Sequence, residues 1–216
     1  MVFSSLPFLF FYLTVTMVIY KLAPLKLRNL ILLLVSLFFY GWGEPVYVFL
    51  MLATVLCGYV FGLLIERFRG RKAAKVFMIL SVVVFLGILG YFKYANFFVE
   101  NFSAVTGLSV PLLKIALPIG ISFYTFQTIT YTVDVYRGEV KAQRTFSKFL
   151  MYVSSYHQLV AGPIVRYSDV AKEIEDRHTT AKDFSEGITK FCIGLAKKVM
   201  VANVAGQMVG RYLDGD

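Results

Sequence analysis

The chain has 216 residues, of which 58% are hydrophobic and only 16% charged, with a mean hydropathy of +0.69 and a formal net charge of +9. Soluble domains carry nearer ~25% charged residues, so an ordinary water-soluble fold is excluded and a polytopic membrane protein is expected. Lipid then solvates much of the outer apolar surface, and the usual demand for a large central core falls away.

Residues 2–20 form an apolar run that can span ~30 Å of hydrocarbon at ~1.5 Å per residue. No Lys or Arg precedes Lys21, so the run reads as a retained span rather than a cleavable signal. A second span, 27–42, closes at a turn through Gly41, Trp42, Gly43, Glu44 and Pro45, whose aromatic suits the membrane interface. The third, 46–65, ends at a basic loop, 66–75, and the fourth, 76–92, ends at Lys93.

The fifth span, 112–135, is unlike the others. At 100° per residue, Gly120, Tyr124, Gln127, Tyr131, Asp134 and Gly138 fall along one line, with Phe126, Ile129 and Val133 opposite. A polar side chain facing lipid costs roughly 2.5 to 3.5 kcal/mol, so this stripe is expected to face a bundle interior or a water-filled path. Gln127, Tyr131 and Asp134 read as functional, whereas Ser122, Thr125, Thr128, Thr130 and Thr132 read as hydrogen-bonding to neighbouring helices. For Asp134 a second reading stays open, an interfacial ion pair with Arg137 three residues on. Pro118 lacks an N–H, and with Gly120 it is expected to kink or break the helix near its start.

A sixth segment, 146–165, contains Gly162 and Pro163, which should interrupt it. With the N-terminus outside, the inner loops collect Lys21, Lys26 and Arg28, then Arg67, Arg69, Arg71, Lys72 and Lys75, then Arg137, Lys141, Arg144 and Lys148, against Lys93 and Lys114 outside. A full crossing at 146–165 would place the later basic residues, from Arg166 onward, on the wrong side. A re-entrant turn that dips in near His157 and Gln158, reverses at Gly162-Pro163 and returns Arg166 to the inner side removes the conflict. An ordinary span with outside charges is the alternative. Beyond it, 168–183 is hydrophilic, and 184–210 reads as an interfacial helix or a slanted span. The positive charge is thus explained by topology and anionic inner-leaflet lipid, with no nucleic-acid partner expected.

No Walker loop, GxGxxG, GxSxG or HExxH is present. Cys57 and Cys192 sit among apolar neighbours far apart in sequence and read as two buried thiols rather than a disulfide or metal site, and no metal is expected. His157 is a weak candidate for lining a reaction path, and His178, in a charged loop, is expected to be solvated.

Three ordered motifs carry a family resemblance. Residues 117–138 (LPIGISFYTFQTITYTVDVYRG), 158–167 (QLVAGPIVRY) and 187–203 (GITKFCIGLAKKVMVAN) resemble the membrane-bound O-acyltransferases, in particular the bacterial branch with the alginate O-acetyltransferases and the teichoic-acid D-alanyl transfer protein. With the reading of the spans above, the expected fold is an all-α, polytopic integral membrane helical bundle with Pro/Gly-broken helices and a re-entrant segment, and the resemblance places it in the inner (plasma) membrane. It also implies the N-terminal half of an enzyme that moves an acyl group, most simply acetyl, from acyl-CoA or an acyl carrier protein to a hydroxyl of a cell-envelope polysaccharide. An extracytoplasmic acyl-transfer partner protein and membrane lipid are the further partners implied. Tyr124, Gln127, Tyr131, Asp134, Gln158, Gly162, Pro163 and Arg166 are the expected substrate-path residues. The family's catalytic histidine lies well downstream of the second motif and this chain stops before it, so the chain alone is expected to be inactive. His157 stands where the branch has proline and inherits no role. A non-catalytic membrane subunit or transporter half, with Gln127, Asp134 and Arg166 lining a polar path, is the rival reading.

Overall fold

The computed structural model describes residues 4–108, 111–113, 116–159, 164–177 and 179–214. Among these there is no strand, and the chain is all-α. The helices are α1 (Thr14–Leu22), α2 (Leu25–Gly43), α3 (Tyr47–Arg67), α4 (Lys72–Thr106), α5 (Ile121–Arg137), α6 (Phe146–Ser154), α7 (Tyr156–Leu159), α8 (Tyr167–Glu175), α9 (Ala181–Ala196) and α10 (Asn203–Asp214). π-helical stretches at Pro7–Leu13 and Lys197–Ala202 precede α1 and α10. α2, α3 and α4 are long and apolar enough to cross a membrane.

The chain divides into two compact units, residues 23–175 and residues 1–22 with 176–216. In the larger unit α3 is the hub, packed against α4, α5 and α6, while α2 lies along α6 and α7 and α5 also meets α4 and α8. The buried residues of α3, Met51, Thr54, Val55, Gly58, Gly62 and Ile65, recur at three- and four-residue steps and so form one stripe. Its other faces are apolar and exposed, as lipid contact requires: Phe49, Leu56 and Val60 all point outward. In the smaller unit α9 starts with a capping box, in which Thr180 and Asp183 satisfy each other's backbone N–H groups. Lys21 there lies over the Phe184 ring, and Arg177 donates to the Tyr20 hydroxyl at 3.1 Å.

Several boundaries differ from the sequence reading, each for a local reason. Among the described residues the first apolar run is helical from Pro7 to Leu22, past the expected end at Tyr20, and its first half is π-helical. α4 does not stop at Lys93 but continues to Thr106, where Gly107 (φ 71°) caps it in the left-handed region. Lys93, Asn96, Glu100 and Asn101 are no obstacle to a helix once it has left hydrocarbon. α5 begins only at Ile121, not at 112, because Pro118 cannot donate and Gly120 turns left-handed (φ 78°) just before the first turn. The segment 146–165 is not one helix, since Ser155 (ψ 115°) separates α6 from α7. Cys57 and Cys192 are exposed rather than buried. In a membrane protein an apolar neighbourhood marks the lipid face as readily as the interior.

Candidate functional site

α5 buries its polar side. Ile121, Tyr124, Thr125, Gln127, Thr128, Tyr131, Thr132, Asp134 and Val135 are buried, whereas Phe126 is exposed and Ile129 and Val133 are half-buried. The close approach comes from α3. A methyl built on Gly58 would lie 2.1 Å from Thr128 Cγ2, and one on Gly62 2.7 Å from the Tyr131 ring, so these two glycines form a notch that receives α5. α4 adds a hydrogen bond across the interface, from Ser81 Oγ to Thr132 Oγ1 at 3.2 Å.

Several atoms on this inward side have no hydrogen-bond partner among the described residues: Gln127 Oε1, Thr125 Oγ1, Asp134 Oδ2 and, on α6, Ser154 Oγ. The Tyr124 and Tyr40 hydroxyls lie side by side without a well-formed bond between them. Orphaned polar atoms at this depth are costly in a folded protein unless water or a ligand group meets them.

The Arg137 end of α5 is densely tied. Arg166 donates to Asp134 Oδ1 and, at 2.8 Å, to Glu139, and Arg137 faces Glu139 at 3.7 Å. The interfacial reading of Asp134 as the partner of Arg137 is therefore replaced by a long-range pair with Arg166. Asp134, and behind it Glu139, hold the Arg166 guanidinium above its ordinary range. Arg69 donates to the Val135 and Val140 carbonyls at 2.7 and 3.4 Å, satisfying the C-terminal end of α5. Glu66 accepts from the Ala142 N–H at 3.1 Å and pairs with Arg144.

The segment after this knot goes out and comes back. Gln143, just before α6, donates to Tyr167 and Glu175 of α8, both at 2.9 Å. Lys148 in the first turn of α6 pairs with Glu175, and the Tyr152 hydroxyl donates to the Val165 carbonyl at 2.7 Å. Residues 146–166 thus start and finish at the same end of α5. α6 has 9 residues, about 13.5 Å at ~1.5 Å per residue, roughly half a bilayer.

Of the residues singled out from sequence, Tyr124, Gln127, Tyr131 and Asp134 share the buried side of α5, and Arg166 joins them through Asp134. Tyr131 is occupied: its hydroxyl accepts the Gln143 N–H at 2.9 Å, and its ring lies 4.3 Å from that of Phe149. Gln158 is half-buried and bonds the Tyr152 carbonyl within its own segment. His157 is exposed, its ring edge-on to Tyr156 at 5.4 Å, and so stands outside the buried polar set. Gly162, Pro163 and His178 lie outside the described residues. Among the described residues no group of His, Cys, Asp and Glu could hold a metal ion. Sequence reading missed Gly58, Gly62, Glu66, Arg69, Gln143 and Tyr167. Gly58 and Gly62 carried a signal in their G-x-x-x-G spacing on a membrane helix, and Tyr167 in closing the 158–167 motif; the others carried none.

With this geometry in hand, the relatives are informative. The chain is 41% identical over 94% of its length to the probable alginate O-acetylase of Pseudomonas syringae, of which it covers 40%. The same identity and coverage hold for the protein of that name from Pseudomonas aeruginosa, again with 40% of that protein covered. A peptidoglycan O-acetyltransferase of Helicobacter pylori is 29% identical over 80% of the chain, which covers 38% of it. The chain spans about 40% of the length of the curated relatives it matches. No family model and no solved structure matches it.

Proposed function

From a chain that fits a fragment of the membrane-bound O-acyltransferase type, we propose that the protein moves an acetyl group from a thioester donor to a hydroxyl of a cell-envelope polysaccharide. In that reaction the hydroxyl oxygen attacks the thioester carbonyl, the C–S bond breaks, and the hydroxyl proton ends on the departing thiol. The donor is acyl-CoA or an acyl carrier protein on the inner side, and the acceptor, with an extracytoplasmic partner, lies on the outer side. α5 is the wall along which the two substrates approach. The observation that supports this most is the set of buried, unpartnered polar atoms on its inward side, above all Gln127 Oε1 and Asp134 Oδ2. Such atoms suit a path that hydrogen-bond donors enter, and a merely structural helix has no use for them.

The orientation belongs to the same proposal: the N-terminus is outside, the α3–α4 turn inside, and 146–166 enters and leaves the membrane from the inner side. Gln127, with Asp134 held by Arg166, orients substrate. The base is not among the buried residues described, since His157 is exposed. Arginine stays protonated and Asp134 is held in an ion pair with it, so the two suit binding better than deprotonation.

The test is an acyl-transfer assay in lipid with labelled acetyl-CoA or a loaded carrier protein and a polysaccharide acceptor, on the protein at the length its gene encodes. Gln127→Leu should reduce transfer at least about tenfold at matched insertion, a loss of ~1.4 kcal/mol, while Ile129→Ala stays within about twofold. Equal losses in the two variants would make the polar side structural only. Transfer by the 216-residue chain that His157→Ala abolishes would move the base to His157.

A further inference from the structure

We propose that Gln143 is a positioning residue that clamps the two ends of the 146–166 excursion to α5 and thereby keeps Arg166 on Asp134. Its backbone N–H and both polar atoms of its side chain are engaged within the larger unit. Its N–H donates to the Tyr131 hydroxyl of α5, and its side-chain Oε1 accepts from the Thr145 N–H at 3.0 Å, fixing the outgoing end. Its Nε2 carries two hydrogens, and both go to α8, to Tyr167 and to Glu175. Gln143 is only 7% exposed, and its bonds to Tyr131 and Tyr167 are made away from competing water, while the one to the half-exposed Glu175 lies at the edge of the cluster.

The chemistry is specific to a primary amide. Two donors on one nitrogen meet a hydroxyl and a carboxylate, and the oxygen meets a backbone N–H. Glutamate in its place would set a second carboxylate against Glu175, and leucine would leave the acceptors on α8 and the Thr145 N–H unmet. Tyr167 is the neighbour of Arg166 in sequence, and its ring lies 5.2 Å from that of Tyr131, so the hold on Tyr167 sets where the guanidinium starts from. The Gln143 and Lys148 contacts hold the Glu175 carboxyl below its ordinary range, which agrees with a donor-rich surrounding. The charged and titratable groups facing this cluster are Glu175 and Tyr167 of α8, Lys148 and Tyr152 of α6, Tyr131 of α5, Tyr59 and Glu66 of α3, and Arg144, which pairs with Glu66.

Two readouts test the clamp, one independent of the reaction and one that rests on the proposed acyl transfer. In a background without Cys57 and Cys192, a cysteine replacing Ile174, which is 3% exposed, reports whether α8 is held. Gln143→Leu should speed its labelling by about tenfold, the scale of losing one or two buried hydrogen bonds. Gln143→Glu should do the same at pH 8 and return towards the parent rate near pH 5, where one of the two facing carboxyls takes a proton and regains a donor. Acyl transfer should follow that pH recovery in Gln143→Glu and show none in Gln143→Leu. Unchanged labelling in both variants, or a rate of Gln143→Glu relative to the parent that is the same at the two pH values, would overturn the clamp; the ratio cancels the fall in thiolate between pH 8 and pH 5. Recovered labelling without any transfer activity in the parent would leave the clamp standing and count against the acyltransferase reading.

Discussion

Arg166 and Asp134 are 32 residues apart in sequence and form an ion pair whose two halves live in different surroundings: the Asp134 side chain is 2% exposed and that of Arg166 44%. A carboxylate so enclosed depends on its one cation, while the cation has water and Glu139 as alternatives. Removing the two partners should therefore have unequal consequences. Arg166→Leu leaves an unpaired buried carboxylate and should lower thermal stability clearly more than Asp134→Asn, which removes the buried charge with it. Thermal unfolding of both variants in the same detergent checks the order, and a reversed order would mean that Asp134 is not ionised in the folded protein.

The glycine notch makes a prediction with its own control. Gly58→Ala should destabilise by about 1 to 3 kcal/mol, the usual scale of overpacking, because the new methyl meets Thr128 Cγ2 at 2.1 Å. Thr128→Ser removes that methyl and keeps a hydroxyl that can still reach the Tyr124 carbonyl, which Thr128 bonds at 2.7 Å. The double variant Gly58→Ala/Thr128→Ser should recover most of the loss. Additive effects in a double-mutant cycle would contradict the contact.

Topology is open to direct chemistry. Single cysteines at Ser4, Arg71 and Ser168, placed in a background lacking the exposed Cys57 and Cys192, should label from outside only at Ser4. Outside labelling at Ser168 would replace re-entry of 146–166 by a crossing, and outside labelling at Arg71 would invert the proposed orientation.

Acid should dissolve one of the ties. Glu175 titrates below its ordinary value in the folded protein because Gln143 and Lys148 donate to it. A depressed carboxylate contributes stability that is present above the unfolded value of ~4.3 and lost as pH falls through the folded value. Melting temperatures of the parent and Glu175→Gln should differ at pH 7 and converge as pH drops below about 4, where the parent's carboxyl is protonated as well. A difference that stays constant over that range would mean the tie does not depend on charge.

How far the sequence foretold this arrangement depends on the range of each interaction. The helical class, the spans near α2 and α3 and the inward polar side of α5 follow from hydropathy and a 100° step, which are local properties. The break at Pro118 and Gly120 was legible for the same reason, since both act on their own turn. Helix ends were not, because α4 runs through Lys93 once it is clear of hydrocarbon and nothing local stops it before Gly107. Of the two readings of Asp134, the ion pair with the nearby Arg137 gives way to one with Arg166, because proximity in sequence says nothing of a residue brought back from 166. Gln143 gave no sign, since a lone glutamine in a charged loop has no pattern and its meaning lies in four partners, three of them brought by the two helices α5 and α8 and the fourth, Thr145, just before α6.

The far end of α4 has a consequence for hydrogen exchange. Asn96 uses both halves of its amide on one residue, donating to the Leu113 carbonyl at 3.0 Å and accepting the Leu113 N–H at 2.9 Å. That pairing imitates a single rung of β-ladder between a helix and the connector that leads to α5. Leu113 sits in a stretch without secondary structure, where a backbone amide would ordinarily trade its proton for deuterium within seconds. Held by Asn96, it should instead keep time with the second half of α4, the two protecting and releasing together. Asn96→Ala would uncouple their clocks and let Leu113 exchange freely while α4 stays slow.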